Sequence, residues 1–148
     1  MRVFIPALPG DLKGATLRAR RGHGGTAEVA HVFPDAGEEE IEYVALLAAA
    51  DDSLRFLAEH PEEPSSRVVV AVDLDEVAPH EEAELPTQLA VPAEIDWALV
   101  AAIFIDEDDV APEIDRARGG DDEAFERVAE ADLLWFDPSE REALTRRP

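Results

Sequence analysis

Between Glu38 and His60 the chain carries neither glycine nor proline, and its apolar residues recur at helical rather than strand spacing. Ile41, Val44, Leu47, Ala48, Leu54 and Ala58 share one arc of a wheel turned about 100° per residue. Tyr43, Leu46 and Leu57 widen that arc, and the Ala, Leu and Glu that dominate the stretch are good helix formers. Asp35 and Glu38 stand at capping-box spacing, and Pro61 ends the run. A helix apolar over so broad an arc has to be covered, so it is expected to be the central packing element, with Leu47 and Leu54 buried.

Around it the pattern alternates between short apolar runs and turn residues. Arg2–Pro6 reads as a first strand. Residues 10–21 read as a weak helix capped by Asp11 and anchored by Leu12 and Leu17, with Arg18, Arg20 and Arg21 in its last turn and Gly22 beyond it. Thr26–Phe33 alternates as a strand, placing Ala27, Val29, His31 and Phe33 on one face. The unbroken apolar run within Arg67–Leu74 and that in Trp97–Ile105 suit strands covered on both faces. Residues 61–66 and 78–86 are polar loops, Thr87–Val91 is an edge strand, and Pro92–Asp96 is a single helical turn with proline at its start. A helix to about Arg118, a Gly119-Gly120 break and a second helix over Asp121–Ala131 precede a last strand, Leu133–Phe136. Asp137, Pro138 and Glu140 cap a short final helix. The order predicts an α/β (α+β) class: one domain over 1–148, with a single mixed sheet and the long helix packed on one face.

At 148 residues the chain is long enough to bury a core without disulfides, and it contains no cysteine, which excludes thiol catalysis. The opening MRVFIPALPG lacks the apolar centre of a signal peptide, and the longest apolar run is about half of the ~20 residues of a membrane span. A cytoplasmic protein is expected. The formal charge of −22 changes the picture of partners. Its field repels nucleic acid and anionic membranes and attracts basic protein surfaces. Lys13 is the single lysine while Arg and Ala are frequent, so a GC-rich genome or a salt-adapted proteome is the ordinary explanation of this composition.

MRVFIP, EYVALLAAADDSLRFLAE, RVVVAVDL, ALVAAIFID and LLWF occur in an order that resembles a small actinobacterial family described only as a domain of unknown function. The resemblance spans most of the chain and implies a single domain of a GC-rich organism. It brings no activity, cofactor or catalytic residue.

Three groups carry candidate chemistry. Asp11, Asp35, Asp73, Asp75, Asp106 and Asp108 each follow a predicted strand. If the strands are parallel neighbours, such carboxylates converge on a crevice and hold Mg²⁺, with Asp73 and Asp106 the foremost ligands. Aspartates in that position more commonly cap the next helix. Arg18, Arg20, Arg21 and His23, among three glycines, form the one basic cluster and suit a phosphate or carboxylate. Cations at a helix C-terminus followed by a glycine turn are the ordinary alternative. Asp108, Asp109, Asp121 and Asp122 form an acidic face for a basic partner. Asp51 lies on the apolar arc with Arg55 one turn on as its expected ion-pair partner. His31 is expected in the core, and Trp97, Trp135 and Phe136 in the core or at its rim.

The expectation is therefore a small acidic interaction or regulatory module without catalytic chemistry and without a cofactor, binding a basic protein surface. The competing class is a metal-dependent enzyme that holds a phosphate-containing substrate between strand-end carboxylates and the Arg18–His23 loop.

Overall fold

A computed structural model describes residues 1–75 and 77–146. The strands among them are β1 (Arg2–Ala7), β2 (Leu17–Arg18), β3 (Gly22–Gly24), β4 (Val68–Asp73), β5 (Ala78–Pro79), β6 (Gln88–Ala90), β7 (Glu94–Ile95), β8 (Val100–Ile105) and β9 (Leu134–Phe136). The helices are α1 (Ala27–Val32), α2 (Glu38–Glu59), α3 (Ala111–Arg118), α4 (Asp122–Glu130) and α5 (Arg141–Leu144). Seven strands form one sheet in the order β5-β6-β3-β1-β4-β8-β9, and β2 pairs with β7 beside it. The described ladders are antiparallel. The α+β class and the long helix on one face of the sheet are as the hydrophobic pattern predicts.

The strand alternation explains how both faces come to be covered. Val3, Ile5 and Ala7 of β1 and Val68, Val70 and Val72 of β4 meet Leu12, Leu17, Ile95 and Leu144 on one side. Phe4, Val69 and Ala71 meet Ala45, Ala49 and Ala50 of α2 on the other. A strand buried on both faces has no position for a polar residue, hence the uninterrupted valines. Alanine on α2 lets the helix approach the sheet closely. The C-terminal part of α2 leaves the sheet and packs Leu54, Phe56 and Leu57 on Ile114 of α3 and Val128 of α4.

Several local expectations change. Residues 10–21 are not a helix: a 3-10 turn over Pro9–Lys13 gives way to extended chain, and Ala19 donates its N–H to Ala93 at 2.8 Å. Leu17 and Ala19 are both buried, so the operative period there is two, not 3.6. Residues 92–96 accordingly contain β7, pairing Ile95 with Leu17, rather than a helical turn. Residues 26–33 form α1 instead of a strand. The Thr26 hydroxyl accepts the Val29 N–H at 3.1 Å as an N-cap, and Val29 and Thr26 are the buried residues of the segment, since β3 already occupies the place beside β1. His31 and Phe33 are consequently exposed. Gly37, not Asp35, is the N-cap of α2. Asp137 and Glu140 do form their capping box, and Asp121 caps α4 through the Ala124 N–H at 3.1 Å.

The face of α2 that is most buried also differs from the predicted arc. Ala45, Ala49, Asp52, Ser53, Leu54, Phe56 and Leu57 are buried, whereas Leu47 is half-buried and Ala58 exposed. Trp97 packs at the rim of the core beneath the Arg141 guanidinium, 4.2 Å from its ring centroid. Trp135, on the edge strand β9, is 59 % exposed rather than in the core.

Candidate functional site

The sequence Gly22-His23-Gly24 reads as a flexible turn, yet it forms β3 at the heart of the sheet. A Cβ on Gly22 would lie 2.7 Å from Val91 and 2.8 Å from Val3, and one on Gly24 would lie 2.7 Å from Leu89. The glycines are there because side chains from β1 and β6 fill their places. His23, between them, projects to the opposite face, where α2 lies.

There His23 Nε2 stands 2.6 Å from Asp52 Oδ2 and Nδ1 stands 2.7 Å from Thr87 Oγ1. An ionised carboxylate can only accept, so Nε2 donates to Asp52, and Nδ1 and the Thr87 hydroxyl share the second hydrogen bond. Arg55 donates to the other Asp52 oxygen at 3.1 Å, and Arg21 lies 3.6 Å from Oδ2. Burial pushes the Asp52 carboxyl up, but the hydrogen bond and charge of His23, with Arg21 and Arg55, outweigh it and hold the group below its ordinary value. The expected Asp51–Arg55 pair is thus replaced by Asp52–Arg55. Asp51, half-buried, has its carboxyl raised, with burial the leading cause.

Hydroxyl, imidazole and carboxylate in a row are the parts of an activated nucleophile. Here Thr87 is 3 % exposed, His23 0 % and Asp52 3 %, and each polar atom of the row faces another. A substrate atom has no approach to the hydroxyl. What the arrangement does chemically is fasten α2 to two strands, β3 and the start of β6, through satisfied buried polar groups.

The arginines of the basic cluster separate. Arg18 is exposed on β2 opposite Glu94. Arg20 pairs with Asp11 at 2.7 Å and lies 5.2 Å from the Phe56 ring centroid; Arg21 lies 5.9 Å from the same ring. Their side chains are therefore ordered by an aromatic face and by carboxylates, not by a helix end. Arg20 and Arg21 line a polar cleft of about 230 Å³ with His80, Glu82, Glu84 and Gln88. Arg18 and His23 do not.

The candidate metal ligands are kept apart by the antiparallel pairing. Asp73 lies opposite Arg2 and bonds it at 2.9 Å. Asp106, at the other end of the sheet, is buried and takes the Arg67 guanidinium in two bonds, 2.7 and 3.0 Å, besides the Arg67 N–H at 2.7 Å. Among the described residues no group of three metal-ligating side chains is within reach of one ion. Of the acidic face, Asp108, Asp109, Asp121 and Asp122 are exposed as expected. Glu113 nearby is shared between Arg116 and Arg127, so the acids of this region do not form one unbroken face.

A different surface stands out. Val32 (52 % exposed), Phe33 (43 %), Tyr43 (52 %) and Leu85 (41 %) are the large apolar residues left open around α1 and the start of α2. Two adjoining apolar hollows share Phe33 and Val44; one adds Ile41 and Tyr43 with Glu39 and Glu40, the other Val32, Leu85 and Pro86. The sequence reading missed this patch because it assigned Val32 and Phe33 to a strand. It also missed Asp52, Thr87 and Gln88. The stripe Ala45, Ala49, Asp52, Phe56 is the signal for Asp52: small residues at helical spacing mark the side facing the sheet. Nothing local marks Thr87 or Gln88, which are placed by strand pairing alone.

The chain belongs to the family of unknown function DUF6912, whose model matches residues 1–145. No curated protein and no solved structure matches it. Among the described residues no helix is long and apolar enough to cross a membrane.

Proposed function

We propose that the chain is a cytoplasmic protein-interaction module without catalytic chemistry, which receives a basic amphipathic segment of a partner protein on the apolar surface of α1 and the first half of α2. The observation that carries this reading is the joined pair of hollows around Phe33 and Val44, with Glu39 and Glu40 in their lining. Contiguous exposed apolar residues rimmed by charge are characteristic of docking surfaces. The rim and the formal charge of −22 favour a cationic partner. A second copy of the chain brings the same acidic rim and the same charge. Nucleic acid and anionic membranes are repelled by it. A helical segment with apolar residues at i, i+3, i+4 and i+7 and lysines opposite fits both the hollows and the rim. The exposed Asp108, Asp109, Asp121 and Asp122 add to long-range steering of such a partner.

The test is calorimetric titration of the full chain with a synthetic Leu/Lys amphipathic helical peptide and with its scrambled form. The expected result is a dissociation constant of order micromolar for the amphipathic peptide, weaker at higher salt. Phe33→Ser with Tyr43→Ser should weaken it at least about tenfold while moving the melting temperature little, because both side chains are exposed. Equal binding by the scrambled peptide, or undiminished binding by the double variant, overturns the reading. A dimer in light scattering that the double variant abolishes overturns it in favour of self-association.

A further inference from the structure

We propose that the cleft between the Arg20-Arg21 segment and the residue 80–88 loop binds a small zwitterion of the α-amino acid class, a site separate from the apolar docking surface. Gln88 supplies the key observation. It is 8 % exposed, and its Oε1 accepts the N–H of Glu84 at 2.6 Å and of Leu85 at 3.4 Å, which fixes the amide with its NH₂ end the other way. Among the described residues that NH₂ has no acceptor. A largely buried amide whose oxygen is already engaged, in the lining of this cleft, has its NH₂ available to a ligand acceptor there.

His80 repeats the device. Its Nδ1 accepts the Glu82 N–H at 3.1 Å, leaving Nε2 as a donor. Arg21 adds a half-exposed guanidinium, held against Phe56 and 3.6 Å from Asp52. The acceptor atoms of the cleft's amide and imidazole are thus consumed by the loop's own backbone, and its donors remain. These donors fit a carboxylate.

Glu82 and Glu84 line the same cleft, and among the described residues neither carboxylate has an ion pair. They fit an ammonium group. The charge of the protein decides between a simple anion and a zwitterion. A free anion entering a field of −22 is repelled over about a Debye length of 8 Å, whereas a zwitterion carries no net charge. The space, about 230 Å³, is below the roughly 300–1,000 Å³ of drug-sized pockets and suits a free amino acid.

The experiment titrates the full chain with each of the common L-α-amino acids to about 10 mM, following the Gln88 side-chain NH₂ by nitrogen–proton correlation spectra. The same series is run with N-acetyl amino acids, amino acid amides and inorganic phosphate. The expected result is a saturable shift of the Gln88 NH₂ with at least one amino acid, weakened about tenfold or more when either charged end is blocked. Arg21→Gln and, independently, Glu84→Gln should each weaken it by a similar factor. Glu84 is exposed, so its variant keeps the test meaningful if Arg21→Gln unfolds. No shift with any amino acid, equal binding of the N-acetyl form, or phosphate binding as tightly as any amino acid overturns the proposal.

Discussion

In its N-terminal half α2 leaves Tyr43 exposed and Ile41 and Val44 in open hollows, whereas in its C-terminal half it buries Asp52 and Ser53. The usual distribution is inverted in both places, and each inversion has its own cause. Ser53 sits where β1 ends and β4 begins. Its hydroxyl donates to Ala7 O at 2.7 Å and accepts the Val68 N–H at 3.0 Å. Asp52 meets His23 and Arg55. The last carbonyls of the helix are taken by Arg118 of α3, which donates to Leu57 O at 2.8 Å and His60 O at 2.6 Å. The buried polar groups Asp52 and Ser53 are each answered by groups from distant parts of the chain. In the first half Ala45 packs on the sheet, but among the described residues Tyr43 stays exposed and Ile41 and Val44 are only partly covered. Buried polar groups and exposed apolar patches are both informative departures: the first marks what fixes the fold, the second what is left for a partner.

The largest effect should follow from cutting the polar interior. Asp52→Ala leaves His23 buried without its carboxylate and Arg21 and Arg55 without theirs, at a cost of about 3–5 kcal/mol. Urea unfolding measures it. A loss as small as that of an exposed acid would mean that the two halves of α2 do not differ as described. The linkage has a definite sign. Asp52 is held below its ordinary value in the folded state, so its contribution is present above the unfolded carboxylate pKa of about 3.9 and is lost as pH falls through the folded value. Asp52→Asn should remove that part of the acid limb.

A smaller contrast separates the two leucines expected in the core. Leu54 packs with Ile114 and Ala117, and Leu54→Ala should cost about 2–5 kcal/mol. Leu47 is half-buried, lining an open hollow with Tyr43 and Leu133, and Leu47→Ala should cost about 1 kcal/mol. Equal losses in paired thermal melts would place the packed side of α2 where the wheel first put it.

How far the sequence carried this picture depends on where each signal lay. The long helix, β1, β4, β8, β9 and the helices at 111–118 and 122–130 were legible because their patterns are local and long. β3 was not: two glycines around a histidine look like a turn until Val3, Val91 and Leu89 are known to fill their side-chain positions. α1 was lost to an ambiguity, since Ala27, Val29 and Phe33 satisfy alternation while Val29, Val32 and Phe33 satisfy helical spacing. Arg20 and Arg21 were noticed as a cation cluster, but their ordering by Phe56 and their company of His80 and Gln88 come from chain crossings no spacing encodes. The strand-end aspartates failed as a group for a topological reason: antiparallel neighbours put their C-terminal ends at opposite ends of the strands.

The smallest expected effect concerns Asp51, next to the group with the largest. Asp51 lies on the flank of α2, half-buried, and Arg55, its expected partner, bonds Asp52 instead. Burial raises its carboxyl, and the nearby positive charges do not compensate. The folded state therefore keeps a proton on Asp51 at pH values where the unfolded chain has released it. Its favourable contribution is complete below about 3.9 and is lost as pH rises through the raised value. At neutral pH the ionised group is a small burden on the fold. Asp51→Asn should raise the melting temperature at pH 7 by about 1–3 °C, and the gain should shrink as pH approaches 4. Melts of both proteins across that range decide the matter. A variant less stable than the wild type at pH 7, or a difference independent of pH, would mean that Arg55 serves both aspartates, and that the boundary between the satisfied and unsatisfied stretches of α2 lies before residue 51 instead of after it.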